Sequence, residues 1–221
     1  MQIMETMIDR HVDAIAVAPS DETAFKIVVD RATAAGIPVV IFDSAVATKK
    51  YVTFVATDNY LGGKMGADRL GAVLHGKGNI VMMKTVPGGA STMAREAGFH
   101  DEIKTKFPPI RILDERFGMS NIAQSLAVTE NMLNAHPNLD GIFASNESGS
   151  EGAAQALRSR GLHLKLVGFD SSPMLINLLK QGWIDSLVIQ DPFKEGEIAL
   201  MRPPRPSKER KLQRSCFFHR G

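Results

Sequence analysis

Asp43, Asn146, Asp170 and Gln190 each stand just after a short apolar run. Arg95 falls in the first turns of the segment that follows Gly88-Gly89. An ionised Asp accepts from two hydroxyls, Asn and Gln both donate and accept, and an Arg fork spans two neighbouring oxygens. A set of this composition suits a polyol, whose hydroxyls are each donor and acceptor. Phe42 or Phe169 would offer an apolar face to ring C–H groups. Each residue also has a plainer reading. An Asp after a strand caps the next helix or turn, and so does Asn146. Arg95 pairs with Glu96 or Asp101 on an exposed helix. Repetition favours a site: Val39-Val40-Ile41-Phe42-Asp43-Ser44 and Leu166-Val167-Gly168-Phe169-Asp170-Ser171 end alike, about 127 residues apart.

Groups that would make or break covalent bonds are not assembled. Gly76-Lys77-Gly78 precedes a strand and lacks the third Gly of a dinucleotide fingerprint. Gly62-Gly63-Lys64 lacks the first Gly and the Ser/Thr of a phosphate-binding loop. There is no Gly-x-Ser-x-Gly elbow. The six His are scattered without metal spacing. Cys216 is the only cysteine, which excludes an intrachain disulfide and a Cys-based metal site. No cofactor is implied, and Trp183 reads as packing.

The elements that must position these residues follow from periodicity. Ile3, Met4, Met7 and Ile8 have helical spacing. A strand over 13–18 and a helix from Pro19-Ser20-Asp21 to about Ala35 come next, with Gly36 as its cap. Strands are predicted at 38–42, 52–56, 79–83, 110–114, 141–144, 164–168 and 184–189. Helices are predicted at 60–74, 91–106, 122–135, 151–160 and 173–180. Short apolar runs bounded by turns fit strands covered on both faces. The alternation predicts an α/β fold of parallel sheets with helices on both faces. In such sheets ligands bind at the carboxyl ends of the strands, where the two Asp stand. The doubled motif suggests two similar lobes with their carboxylates facing one cleft.

The chain has 221 residues, enough for one large or two small domains. No apolar run approaches the ~20 residues of a membrane span, so no direct membrane insertion is expected. The net charge of +2 is set by residues 201–221, which hold seven Lys/Arg and one Glu. The preceding 200 residues carry 19 Lys/Arg against 23 Asp/Glu, a formal −4, which argues against a nucleic-acid partner. Arg202-Pro203-Pro204-Arg205-Pro206 cannot continue a helix, and 201–221 reads as a disordered basic tail.

Several segments together carry a family resemblance. They are Val12-Asp13-Ala14-Ile15, Ala35-Gly36-Ile37-Pro38-Val39-Val40, Thr57-Asp58-Asn59, Arg95-Glu96-Ala97-Gly98-Phe99, Phe143-Ala144-Ser145-Asn146-Glu147, Val167-Gly168-Phe169-Asp170 and Gln190-Asp191-Pro192. Over roughly 2–200 the chain resembles the periplasmic sugar-binding proteins of ABC transporters, the ribose-receptor-like group of the type I fold. The resemblance implies two lobes that close on a sugar by hinge motion. It implies that Asp43, Arg95, Asn146, Asp170 and Gln190 hold the sugar, with chain crossings near 55–58 and near Gln190. It implies residues 1–57 with 190–200 as a partial N-terminal lobe and 58–189 as the C-terminal lobe. It further implies a periplasmic location and a membrane permease as partner. Close ribose receptors carry Arg where this chain has Ser44, so ribose itself is not implied. The family's first strand, first helix and second strand have no counterpart, and the helix begun at Pro192 breaks off after Leu200. The chain alone is therefore expected to bind sugar weakly. The rival expectation is the sugar-sensing effector domain of a transcription repressor, which shares the fold. An enzyme has no support beyond the expected cleft.

Overall fold

The computed structural model describes residues 1–201, 210–212 and 216–219. In chain order the first elements are α1 (Gln2–Asp9), β1 (Ile15–Val17), α2 (Ala24–Ala34), β2 (Val39–Phe42) and β3 (Thr53–Thr57). Then come α3 (Asn59–Val73), β4 (Gly78–Lys84), α4 (Ala90–Lys106), β5 (Ile110–Phe117), α5 (Ile122–Ala135) and β6 (Gly141–Ala144). The last are α6 (Glu147–Arg160), β7 (Lys165–Phe169), α7 (Pro173–Gln181), β8 (Ser186–Ile189), α8 (Pro192–Met201), β9 (Arg210–Leu212) and β10 (Cys216–His219).

The chain divides into two compact units. The first holds Met1–Asp58, Pro87–Met93 and the described residues from Asp191 to Leu212. The second holds Asn59–Val86, Ala94–Gln190 and β10. The resemblance implies one lobe unbroken from 58 to 189. Residues 87–93 instead count with the first unit, because the glycine loop bonds there. Glu22 N–H donates to the Gly88 carbonyl at 3.1 Å, and Ser91 N–H donates to Ser44 Oγ at 3.1 Å.

In the first unit the sheet order is β1-β2-β3-β9, all parallel. Alternate residues of β2, Val39 and Ile41, are fully buried against Val28, Val29 and Ala32 of α2 and Met4 and Ile8 of α1. α2 starts later than its sequence signal, and Asp21 serves that start. Its Oδ1 accepts from Thr23 N–H at 2.9 Å and Ala24 N–H at 2.7 Å.

In the second unit the order is β10-β8-β7-β6-β4-β5, with only β10 antiparallel to its neighbour. Strand periodicity divides the core in two. Val81 and Met83 of β4 join Ile142 and Ala144 of β6 against α5, α6 and α7. Ile80 and Met82 join Phe143, Val167 and Phe169 against α3 and α4. Both faces are therefore covered, as a parallel sheet requires. Phe143 stacks on Phe99 of α4 with centroids 4.0 Å apart.

Within the stretch expected as a tail, Arg210–Leu212 pairs with β3 and Cys216–His219 pairs with β8. The outer edges of β3 and β8 present unpaired backbone groups, which an extended run can satisfy. The other tail residues after Met201 lie outside the described ones. The helix expected at 151–160 begins at Glu147, because Asn146 caps it.

Candidate functional site

The echo of Phe-Asp-Ser corresponds to a shared backbone device. Asp43 has φ 62° and Asp170 has φ 71°, both left-handed. Asp tolerates this region better than most residues. Each Asp N–H donates to the neighbouring strand: Asp43 to the Val55 carbonyl at 2.9 Å, Asp170 to the Val188 carbonyl at 2.8 Å. The turn thus ends each strand with an Asp in the same conformation, one in each unit.

In the second unit, four of the residues singled out by sequence meet. Arg95 is 3% exposed. Its Nε donates to Asn59 Oδ1 at 2.8 Å and its Nη1 to the Ser145 carbonyl at 2.9 Å. Nη1 lies 3.9 Å from Asp170 Oδ2. The guanidinium carbon sits 4.0 Å from the Phe169 ring centre, a cation–π contact. Gln190 Nε2 donates to Asp170 Oδ1 at 2.5 Å, and Glu147 N–H donates to Oδ2 at 3.1 Å. Gln190 Oε1 is buried and meets no protein donor. Phe169 is fully buried, so its ring supports Arg95 from beneath and presents no open face. Phe42, the counterpart in the first unit, is half-buried.

Asn146 stands beside this array and is engaged locally. Its Oδ1 accepts from Gly149 N–H at 3.0 Å and its Nδ2 donates to Ser148 Oγ at 2.9 Å. The helix-cap reading of Asn146 is therefore realised. Asp43 stands in the first unit, at the end of β2. Ser44, its neighbour, is 3% exposed.

Sequence reasoning missed the residues that hold the array. Glu96 does not turn to Arg95. It is buried, and its Oε1 accepts from Thr85 N–H at 3.2 Å and from the Ser145 hydroxyl at 3.0 Å. Burial pushes its carboxyl above the ordinary value, partly offset by those bonds and by Lys84 at 3.6 Å. In the first unit Glu195 is buried and accepts from Thr57 N–H at 2.8 Å and from its hydroxyl at 2.5 Å. The run Thr57-Asp58-Asn59 thus supplies a Glu195 partner and an Arg95 partner, roles that no local pattern announces.

Chemically, the array can accept and donate hydrogen bonds through a carboxylate, an amide and a guanidinium. Among the described residues no group of three or more His, Cys, Asp or Glu is placed to hold a metal ion. No helix among them is long and apolar enough to cross a membrane.

A family model described as periplasmic binding protein domain matches residues 1–201. The ribose import binding protein of Bacillus subtilis is 31% identical over 89% of this chain and 63% of its own length. A D-ribose/D-allose-binding protein of Pseudomonas aeruginosa is 33% identical over 82% of this chain and 59% of its own. The chain thus spans about three fifths of the length of these relatives. Two solved structures are similar with TM-score 0.92, each covering 99% of this chain and 78% of the other. One is a carbohydrate transporter solute binding protein from Agrobacterium radiobacter in complex with D-arabinose, 28% identical. The other is an ABC transporter solute binding protein from Agrobacterium vitis with bound D-fucose, 31% identical. With a match over 201 residues and strand-end geometry of this kind, the chain belongs to the periplasmic binding protein domain family.

Proposed function

We propose that this chain captures a sugar for an ABC-type importer and does not transform it. The observation that carries the reading is the buried Gln190 Oε1 beside Asp170 and Arg95. A buried acceptor without a donor is rare in folded proteins. This one belongs to the side chain whose amide donates to Asp170, and on this reading a ligand hydroxyl supplies the missing donor. Asp170 would accept from further hydroxyls, and Arg95 would donate to ring or hydroxyl oxygens. Asn146 adds an amide once its local bond to Ser148 is exchanged. Asp43 is the first unit's candidate contributor, in the same strand-end conformation as Asp170. The sugars named for the relatives, D-ribose, D-allose, D-arabinose and D-fucose, are pentoses and hexoses, which fit this donor and acceptor set. A membrane permease as partner and a periplasmic location follow from the same reading.

The test is a side-chain NMR titration with D-ribose, D-arabinose, D-allose and D-fucose, which detects weak as well as tight binding. Saturable shifts of the Gln190 amide and Arg95 Nε–H signals are expected with at least one sugar. Replacing Arg95 by Ala should weaken that binding by about 1.5–3 kcal/mol, through lost charge-assisted hydrogen bonds. Silence across the panel, or an Arg95→Ala variant that binds as well, would refute the proposal. Sustained conversion of the sugar by pure protein would refute the non-catalytic part.

A further inference from the structure

Glu96 lies on the same helix as Arg95 but points into a different set of bonds. Its Oε1 bridges two strand ends: Thr85 N–H, just after β4, and the Ser145 hydroxyl, just after β6. The Ser145 hydroxyl also meets Thr85 Oγ1 at 2.9 Å. Every atom of this bridge is on a buried residue: Glu96 is 4% exposed, Thr85 4% and Ser145 0%. Ser145 then uses its carbonyl to accept from Arg95 Nη1 at 2.9 Å. The next residue is Asn146. One carboxylate therefore fixes the residue that orients Arg95 and precedes Asn146.

We infer that Glu96 is a positioning residue for Arg95, acting through Ser145 to hold the guanidinium against Asp170. The inference rests on the sugar-site reading for its purpose, and on the bonds alone for its mechanism. The cost of a buried carboxylate argues that it is retained for something. Lys84 of β4 approaches Glu96 Oε2 at 3.6 Å but is shared with Glu115 of β5 at 3.5 Å, which in turn takes His100 of α4 at 3.0 Å. Charge pairing at Glu96 is thus divided between two carboxylates, whereas its two hydrogen bonds, at 3.2 and 3.0 Å, both converge on Oε1. What Glu96 supplies is an acceptor at a fixed point. A glutamine can keep Oε1 there; an alanine cannot.

The experiment uses the full chain labelled with 15N-arginine, with the Arg95 Nη1–H signals, the protons held by the Ser145 carbonyl, assigned by their loss in Arg95→Lys. In Glu96→Ala, exchange of those protons with water should accelerate about tenfold, the scale of one lost buried hydrogen bond. Glu96→Gln should restore it to nearly the original rate. Ser145→Ala, a smaller change that removes the link and keeps the carbonyl, should accelerate it too and decides the matter if Glu96→Ala does not fold. If Glu96→Ala lowers the melting temperature while the Arg95 signal keeps its position and exchange rate, the role is structural only and the inference is overturned. A Glu96→Gln variant that fails to restore the signal overturns it as well. The readout needs no sugar, so a wild-type chain deaf to every sugar would sink the proposed function and leave this inference decided on its own. Where a sugar binds, its dissociation constant should rise about tenfold in Glu96→Ala and recover in Glu96→Gln.

Discussion

A left-handed residue with a side chain crowds its Cβ against the carbonyl that follows, at about 1–2 kcal/mol. Asp43 and Asp170 both carry that strain, at φ 62° and φ 71°. Strain of this kind persists where the surroundings dictate it, and it gathers at functional sites. The prediction compares two truncations that remove the same carboxylate. Asp43→Gly should be more stable than Asp43→Ala by about 1 kcal/mol in urea unfolding, and the same order should hold at Asp170. Equal stabilities would mean the backbone relaxes and the strain is absent. The repeated Phe-Asp-Ser was legible in the sequence, as was the placement of Asp at strand ends. The conformation was not, because it is set by bonds to Val55 and Val188, residues on other strands. Glu96 was likewise opaque: a Glu beside an Arg on a helix suggests a surface pair, and only the tertiary packing of Thr85 and Ser145 turns it inward.

Helix boundaries and helix contacts obey different rules from strand ends. α5 and β6 were readable to the residue, since Asn121 supplies a side-chain cap and Gly141 opens an apolar run. α6 was misplaced by four residues because its opening Glu-Ser-Gly-Ser has poor helix propensity, which the Asn146 cap and burial override. Gly62-Gly63-Lys64, set aside as a phosphate loop, proves to be a packing device on α3. A Cβ at Gly63 would overlap the Arg95 carbonyl, and one at Gly98 would overlap the Tyr60 carbonyl. α3 and α4 therefore touch backbone to backbone. Gly63→Ala should lose about 1–3 kcal/mol in spite of alanine's better helix propensity, and it should broaden the Arg95 side-chain signal because the helix must shift. A stabilised Gly63→Ala protein would contradict the close contact. On α2, Asp30 takes the Thr48 hydroxyl at 2.6 Å and Lys26 at 2.9 Å, which draw its pKa from 3.8 to about 2. A lowered carboxylate pKa contributes stability above its unfolded value and loses it as the native group protonates. Asp30→Asn should therefore flatten the fall of stability as pH drops from 3.8 towards 2, seen in urea midpoints across that window.

The two units differ in how much core they own. Among the described residues the first has one cluster of ten buried apolar residues, and its edge strand β1 is three residues long. The second rests on two clusters of 17 and 11, one on each face of its sheet. Ile3 and Ile27, on α1 and α2, are 75% and 69% exposed. Local opening follows buried contact, so stability should be uneven along the chain. Hydrogen exchange should proceed first in β1 and α1 and last in β4, β6 and β7. Uniform slow exchange across both units would show that the first has support not visible in its own core. At this scale the sequence was most informative. Alternating strands and helices gave the α/β class, and the β1–α2–β2 and β6–α6–β7 passages share a 24-residue register between paired strands. The assignment of residues 87–93 to the first unit was not visible, because it depends on bonds from Glu22 and Ser44, which lie more than forty residues earlier in the chain.

The engagement of Asp170 sets a stoichiometric limit. A carboxylate offers about four lone-pair directions. Glu147 N–H and the Gln190 amide occupy one each. About two remain, enough under the proposed function for one pair of adjacent hydroxyls. A ligand that brings a third donor would have to displace the Glu147 N–H or the Gln190 amide, so the number of hydroxyls the site takes is counted on one carboxylate.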